Sequence, residues 1–373
     1  MQRLLGKDPA NASRHSGMAL WIAIAFVGFG LAPSISAMPN DVSMPLESRS
    51  FNVSYRISVV PPPGRHKVNV WVPIPSTDRF QTISELRLKV PASVHMRKDP
   101  TYGDRYAFFS MDRSRSNDSF EIQLSFHIVR FERRPQTTGE RTSAFAKEVT
   151  PYLQPDRPGF DDRAIVEFAL EQTQGISDPL QKARKIYDVM LLMIHCGEVC
   201  FGDNGNSALT AVARHGSWND PQSLFTGMLR TVGIPARLEM GFSLPEAQTG
   251  GTIAGYHSWV EFYADGIGWI PVDVSGTGPA PQKGDFLFGA IDANRVMLSM
   301  GRDLTVTPAT KAGPLTFTAY PYIEVDGQPF LEYSADCFFR ETGIAGAITS
   351  ISRKPIFADT HFSTTRRIPH LPS

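Results

Sequence analysis

The stretch "DPQSLFTGMLRTVGIPARLEMGF" constrains the local fold more tightly than any other part of this 373-residue chain. Asp220 is a good N-cap, Pro221 suits the first helical position, and Gly233 suits the C-terminal cap. Apolar side chains recur at spacings of three and four, which gives the helix one core-facing side: Leu224, Phe225, Met228, Leu229 and Val232. The apolar run that follows is typical of a buried strand. We therefore predict a helix packed on a sheet, with residues 217 and 218 at its positive N-terminal end.

A second stretch, "GYHSWVEFYADGIGWIPVDVSG", predicts a β-hairpin. Its alternating halves flank a three-residue loop, Ala264–Asp265–Gly266, with Gly266 in the left-handed conformation. That loop places His257 directly opposite Asp273 on one face of the sheet, whereas a one-residue slip would separate them. Taken singly, each residue has an ordinary structural explanation. Together they predict a catalytic dyad or its remnant, because the carboxylate can fix the imidazole tautomer and stabilise its cation.

The rest of the chain predicts four further segments. Residues 45–135 alternate in short runs, at the spacing of a β-sandwich domain. Residues 140–197 hold two amphipathic helices that form a helical connector, the second with Asp178 as its N-cap. Residues 198–330 form the domain that contains the helix and the hairpin, and residues 331–373 form a C-terminal extension.

The N-terminus has the features of an export signal. A basic leader precedes the apolar run "MALWIAIAFVGFGLA", and small residues then lead to a plausible cleavage point at Ala37. The apolar run is shorter than the roughly 20 residues that a membrane span needs. We therefore predict a signal peptide at residues 1–37 and a periplasmic or secreted protein. An uncleaved anchor is the alternative, and it would be the chain's only expected membrane contact.

Charge and composition narrow the class of ligand. Lys plus Arg and Asp plus Glu both number 37, so no basic excess indicates a nucleic-acid partner or an anionic membrane surface. A peptide, a cell-wall fragment or a protein ligand fits this neutral chain better.

The cysteines suggest local chemistry and do not predict a cofactor. Cys196 and Cys200 lie four residues apart and could form a disulfide, which leaves Cys337 unpaired in an oxidising compartment. His195 beside the pair also suggests zinc, but the second paired half of a structural zinc site is missing. We predict no metal and no cofactor, and the pairing of the three cysteines stays open.

Four motifs occur in order between Glu198 and about Gly327: "LFTGMLRTVGIPARLEMGF", "GYHSWVEFY", "GIGWIPVDVS" and "FLFGAIDANRVMLSMGRDL". In order and spacing they resemble the bacterial transglutaminase-like family, relatives of papain-type thiol proteases. The resemblance implies an α+β fold, in which an N-terminal β-sandwich precedes a papain-like domain with its nucleophile helix packed on an antiparallel sheet. It also implies a Cys–His–Asp triad for acyl transfer at amides, in which His257 and Asp273 take the histidine and aspartate positions.

The nucleophile departs from the family's pattern. Where that pattern reads Gly-x-Cys-x-Asp-Phe, this chain has "GSWNDP", with Trp218 on the cysteine position. An indole only donates hydrogen bonds and cannot attack a carbonyl. We therefore expect a pseudoenzyme whose remnant cleft binds a peptide, cell-wall fragment or protein partner. The alternatives are an active amide hydrolase or acyltransferase that uses Ser217 or Cys200, and a purely architectural protein.

Overall fold

The computed structural model describes residues 47–113, 119–134, 148–154, 163–196, 221–275, 282–315 and 319–343 of the chain. The predicted signal peptide, the N-cap Asp220, Cys200, Ser217 and Trp218 lie outside these ranges. No helix among the described residues is both long enough and apolar enough to cross a membrane.

Two five-stranded antiparallel sheets form a β-sandwich. The first sheet has the order β3–β6–β1–β14–β8, with bounds Gln81–Lys89, Phe120–Phe131, Ser48–Val59, Tyr333–Glu341 and Gly250–Thr252. The second has the order β13–β12–β2–β5–β4, with bounds Gln328–Pro329, Tyr322–Val325, His66–Ile74, Arg105–Arg113 and His95–Lys98. Apolar side chains from both sheets share one core, which includes Phe51, Val70, Phe109, Leu124 and Ile323.

Strand β1 shows how the sequence builds this sandwich. Phe51, Val53 and Tyr55 are buried, whereas the alternate residues Asn52 and Ser54 are exposed. A period of two is the signature of a strand with one face in the core and one in solvent. The β pattern predicted over residues 45–135 therefore produces three adjacent strands of each sheet, β3–β6–β1 and β2–β5–β4.

The sandwich is completed by strands from the far end of the chain. Strand β14 lies in the segment predicted as a C-terminal extension, and it pairs along β1 so that Cys337 faces Tyr55. Strand β12 pairs in the same way with β2. Residues 333–341 are thus an integral strand of the first sheet, and all described residues fall within one compact unit, Leu46–Ser373.

The remaining elements form a four-stranded sheet covered by helices. The sheet has the order β10–β9–β7–β11, with bounds Gly268–Val272, Tyr256–Ala264, Ala236–Ser243 and Arg295–Met300. The helices are α1 to α4, with bounds Arg163–Gln172, Pro179–Cys196, Pro221–Thr231 and Gln282–Leu287, and a 3-10 turn spans Thr150–Leu153. Helix α3 packs on β7 and β9, burying Phe225 and Leu229 against Leu238, Val260 and Phe262. This is the predicted helix on a sheet, and the α+β class is confirmed.

The helix ends follow the predicted signals wherever they are described. The Asp178 carboxylate accepts a hydrogen bond from the Gln181 amide at 3.0 Å, so it caps α2. Helix α3 begins at Pro221, and Gly233 beyond its end has a φ of +82°. Glycine adopts that left-handed conformation without the steric cost of a side chain.

The predicted register of the β9–β10 hairpin is wrong by two residues. Ala264 pairs with Gly268 and Val260 with Val272, so paired residue numbers sum to 532 rather than 530. The loop is therefore residues 265–267, one position later than predicted, although Gly266 does have a left-handed φ of +79°. Gly268, which closes the turn opposite Ala264, also has a positive φ, +95°, so two glycines suit the turn and the sequence alone does not select the closing pair.

Gly241 on β7 permits an unusually close approach of the neighbouring strand. A Cβ atom built there would collide with the carbonyl oxygen of Val296 on β11. The β7–β11 register is also irregular between Met297 and Ser299. A side chain at position 241 would therefore force β11 away from β7.

Candidate active site

His257 and Asp273 form the hydrogen-bonded pair that the sequence predicts. His257 Nε2 lies 2.7 Å from Asp273 Oδ2. The two-residue shift in register leaves them diagonal neighbours, yet it keeps them on one face because the side-chain period of a strand is two. The side chain of Asp273 is fully buried, whereas that of His257 is 23% exposed.

The second ring nitrogen of His257 remains available. Within the described ranges, His257 Nδ1 has no hydrogen-bond partner, while Nε2 is held by the carboxylate. When Nε2 carries the proton that Asp273 accepts, Nδ1 is the basic nitrogen of the neutral ring. The imidazole thus has one nitrogen held by the carboxylate and one without a hydrogen-bond partner among the described residues.

Asp273 accepts hydrogen bonds from several other groups. Gln222 Nε2 lies 2.7 Å from Oδ1, the Ser275 amide lies 3.0 Å from the same oxygen, and an Arg295 nitrogen lies 2.7 Å from Oδ2. Burial alone would raise the pKa of this carboxyl, but hydrogen bonds and charge from His257 and Arg295 outweigh it and hold the pKa well below its usual range. Asp273 is therefore a fixed anion at any physiological pH.

Arg295 is the buried counter-charge of Asp273. It lies at the start of β11 with a side chain only 6% exposed, and its other terminal nitrogen donates to the hydroxyl of Ser243 at 2.5 Å. Asp292 lies farther away, at 3.8 Å. A buried anion is stable only when it is paired and hydrogen-bonded, and Arg295 meets both conditions. The negative charge of Asp273 is consequently shared between a histidine and an arginine.

The first turn of helix α3 lies directly beside this pair. Gln222, the second residue of the helix, is 1% exposed and bonds Asp273 through its side chain. The next residue, Ser223, receives a hydrogen bond of 2.7 Å from Arg302. The helix N-terminus and the His257–Asp273 pair are thus joined by side-chain contacts. Trp218 and Ser217 precede this turn and lie outside the described residues.

Trp259 packs against the ring of His257. The two rings stack with centroids 6.3 Å apart and an interplanar angle of 24°. Trp259 is fully buried and donates its indole N–H to Glu239 on β7. A tryptophan anchored in this way restricts the ring orientation of its neighbour.

A second buried charge cluster lies farther along the same strands. Arg133 contacts Glu239 at 3.1 Å and also pairs with Glu261, which in turn receives the Nε of Arg237 at 2.6 Å. Burial lowers the pKa of Arg133 to about 10, partly offset by the charge of Glu239. The charges of the two arginines and the two glutamates cancel. These ion pairs therefore connect the segment after β6 to the third sheet.

Of the three cysteines, Cys337 is the one whose side chain the structure describes. Cys337 is a free, buried thiol in the sandwich core, where burial raises its pKa to about 12. Cys196 ends helix α2, but its side chain and all of Cys200 lie outside the described positions, so their pairing stays a prediction. Within the described ranges, no group of three or more His, Cys, Asp or Glu side chains could hold a metal ion.

A family model matches the part of the chain that contains the His257–Asp273 pair. Residues 166–274 match the model of the transglutaminase-like superfamily. These residues form a transglutaminase-like domain. The matched stretch contains helix α3 and both members of the His257–Asp273 pair, and it starts in helix α1, upstream of the predicted boundary at residue 198.

Two individual proteins are similar to the chain. The fold resembles the crystal structure of a candidate cysteine protease from Cytophaga hutchinsonii, with a TM-score of 0.51 and 16% identity over 82% of this chain and 95% of that one. An uncharacterized protein of Haemophilus influenzae is 24% identical over 316 aligned residues, covering 73% of this chain and 84% of the relative. These similarities support the transglutaminase-like fold, and at such identity they extend to the fold alone.

Proposed function

We propose that this is an exported pseudoenzyme whose transglutaminase-like domain binds a peptide, a cell-wall fragment or a protein partner without turning it over. One observation carries the proposal: the His257–Asp273 pair is fully formed at 2.7 Å, and the motif resemblance assigns Trp218 to the family's cysteine position. The supports of the pair, Gln222 and Arg295, are also in place. The chain therefore keeps the base and its orienting groups but has an indole where the attacking thiol belongs.

The chemistry of the pair supports binding better than turnover. His257 Nδ1 can accept a hydrogen bond from an amide or hydroxyl of a ligand, and Asp273 keeps the ring oriented for it. Acyl transfer needs an attacking atom as well, and an indole nitrogen cannot supply one. Loss of one triad member typically costs about 10⁴-fold in turnover. A cleft with this composition is expected to hold an amide-bearing ligand intact.

The second candidate is an active amide hydrolase or acyltransferase. The intact base favours it, because His257 could activate Ser217 or Cys200 if either reached its free nitrogen. A third candidate is an architectural protein in which the buried His257–Asp273 pair serves stability alone. The three candidates differ in whether a covalent adduct forms and whether a ligand binds.

The deciding experiment compares the mature wild-type protein with Trp218→Cys, with His257→Ala and with the double variant Trp218→Cys/His257→Ala. Each is incubated with a glutamine-containing peptide, and ammonia release, amine incorporation and the intact mass of the protein are measured. Binding of the same fluorescently labelled peptide is followed by polarisation. We expect an acyl adduct in Trp218→Cys only, together with peptide binding by the wild type that His257→Ala weakens.

The other outcomes select the other candidates. An adduct on the wild-type protein would overturn the pseudoenzyme, and peptide mapping would identify the true nucleophile. If none of the compared proteins formed an adduct and the wild type did not bind the peptide, the proposal would fail in favour of the architectural role.

A further inference from the structure

The outer face of the first sandwich sheet carries an open groove that the transglutaminase-like site does not use. Its volume is about 660 Å³. It crosses strands β3, β6, β1, β14 and β8, and its lining includes Phe338, Arg340, Ser54, Ser125 and Arg87. Differences in side-chain length across the sheet produce this depression.

The strand register shows which long and short side chains lie beside each other. Phe338 faces Ser54, Ser54 faces Ser125, and Ser125 faces Arg87, so four residues form one row across four neighbouring strands. Three strand spacings separate the ends of the row by about 14 Å. The two short serines form the floor, and the two long side chains at the ends form the walls. In the adjacent row Arg340 faces Asn52, and Asn52 faces His127.

The walls carry positive charge and an unusual backbone. Arg87 and Arg340 are exposed, and neither forms an ion pair or side-chain hydrogen bond with another described residue. Strand β3 has a register shift between Ser84 and Arg87, and Glu85 within it has a φ of +52°. A positive φ at a residue other than glycine is costly, and such strain clusters at functional sites. The bulge also adds the Glu85 carboxylate to the groove's lining.

These features select the chemistry of a ligand. The floor consists of hydroxyl and amide side chains, which both donate and accept hydrogen bonds as sugar hydroxyls do. Backbone groups beneath the floor are already paired within the sheet, so an extended peptide finds no ladder to join there. The ring of Phe338, 48% exposed, offers a flat apolar surface to the C–H face of a sugar. Arg87 and Arg340 offer planar forks for carboxylates.

We propose that this groove binds an acidic glycan, a sugar chain whose carboxylates pair with Arg340 and Arg87 while one ring stacks on Phe338. Glu85 in the lining disfavours a polyanion of high charge density such as nucleic acid, but it accepts hydrogen bonds from sugar hydroxyls. This site is separate from the His257–Asp273 pair and does not depend on the function proposed for it.

Calorimetric titration of the mature protein with two matched tetrasaccharides tests the proposal. The first alternates N-acetylglucosamine with N-acetylmuramic acid; the second, chitotetraose, lacks the lactyl carboxylates but is otherwise alike. We expect the acidic chain to bind about tenfold more tightly, the difference that one charge-assisted contact supplies. Arg340→Gln should reduce that preference, and Phe338→Ala should weaken the binding of both sugars. Arg56→Gln is the control, because Arg56 is exposed on the same sheet but lies outside the lining.

Four outcomes would overturn the proposal. These are no saturable binding of either sugar, equal affinity for both, equal losses in Arg340→Gln and Arg56→Gln, and tighter binding of tetraglutamate than of the acidic sugar. The last would assign the groove to acidic peptides. Circular dichroism melting of each variant confirms that the exposed substitutions leave the fold intact.

Discussion

Gln222 in the first turn of helix α3 donates a hydrogen bond of 2.7 Å to the buried carboxylate of Asp273, which lies just beyond strand β10. The same amide group reaches the hydroxyl of Ser275 at 2.9 Å. One side chain therefore fixes the distance between the start of the helix and the His257–Asp273 pair. Gln222 is thus a direct structural link between helix α3 and this pair.

Gln222→Ala should reduce the free energy of unfolding by about 1–3 kcal/mol, because it removes a hydrogen bond from a buried, charged acceptor. Urea unfolding followed by fluorescence measures the change. The matched control is Gln181→Ala, a glutamine in the first turn of α2 whose side chain is exposed, which should change stability by less than about 0.5 kcal/mol. Equal effects of the two substitutions would show that the Gln222–Asp273 hydrogen bond does not stabilise the fold.

Arg295→Met should destabilise the protein by about 3–5 kcal/mol, because Asp273 would stay buried with one cation fewer. The companion substitution Asp273→Asn should lower that cost, since a neutral amide needs no counter-charge. A double-mutant cycle in guanidinium chloride measures the coupling. Additive losses in the cycle would show that Arg295 and Asp273 do not stabilise each other.

Asp104, a buried carboxyl outside the candidate site, predicts a pH dependence of stability. It is 8% exposed and accepts the Met300 amide at 2.8 Å. Burial raises its pKa to about 8, and the charges of Asp99 and Glu239 add to the shift. An unfolded aspartate titrates near a pKa of about 3.9, so between these values the folded chain holds a proton that the unfolded chain has lost. Stability should therefore fall as pH rises through this window, by up to about 1.4 kcal/mol per pH unit.

Asp104→Asn removes this titration and keeps an oxygen acceptor. Denaturation at pH 5 and at pH 8 should show a smaller loss of stability in the variant than in the wild type. Asp265→Asn, at an exposed carboxylate in the hairpin loop, is the control and should retain the wild-type slope. A variant slope equal to that of the wild type would assign the pH dependence to other groups.

Gly241→Ala should destabilise the third sheet by about 1–3 kcal/mol or more, because the added methyl group meets the Val296 carbonyl. Gly255 provides the comparison. A Cβ there has no neighbour within 4 Å, so Gly255→Ala should be close to neutral. Thermal melting of both variants gives the result, and similar melting temperatures would refute the close approach of β11 to β7.

The sequence predicted the His257–Asp273 contact through parity rather than through the correct register. The hairpin loop is displaced by one position, which changes each pairing by two residues and so keeps both side chains on one face. A displacement of the pairing by one residue would have separated them. Local sequence patterns thus determined on which face of the sheet each side chain lies. The residue paired with it across the hairpin depended on which glycine closed the turn.

Gln222 and Arg295 could not be found in this way. Gln222 has the same surroundings in sequence as any first-turn helix residue, and its role depends on a hairpin that lies about fifty residues later. Arg295 offers a weak signal, a cation at the start of the apolar strand "RVMLSM". A buried charge implies a buried partner, but the identity of that partner is a property of tertiary packing.

The pairing of β14 with β1 determines when the first sheet can form and which fragments of the chain can fold. The central strand of the first sheet has β6 on one side and a strand from residues 333–341 on the other, so the sheet cannot be completed until residue 341 has been synthesised. Residues 45–135 expressed alone would leave the long edge of β1 open, and such an edge readily recruits strands from other molecules. Strands β1 and β14, from the two ends of the described chain, are thus paired neighbours, and a fragment that lacks either strand is expected to aggregate.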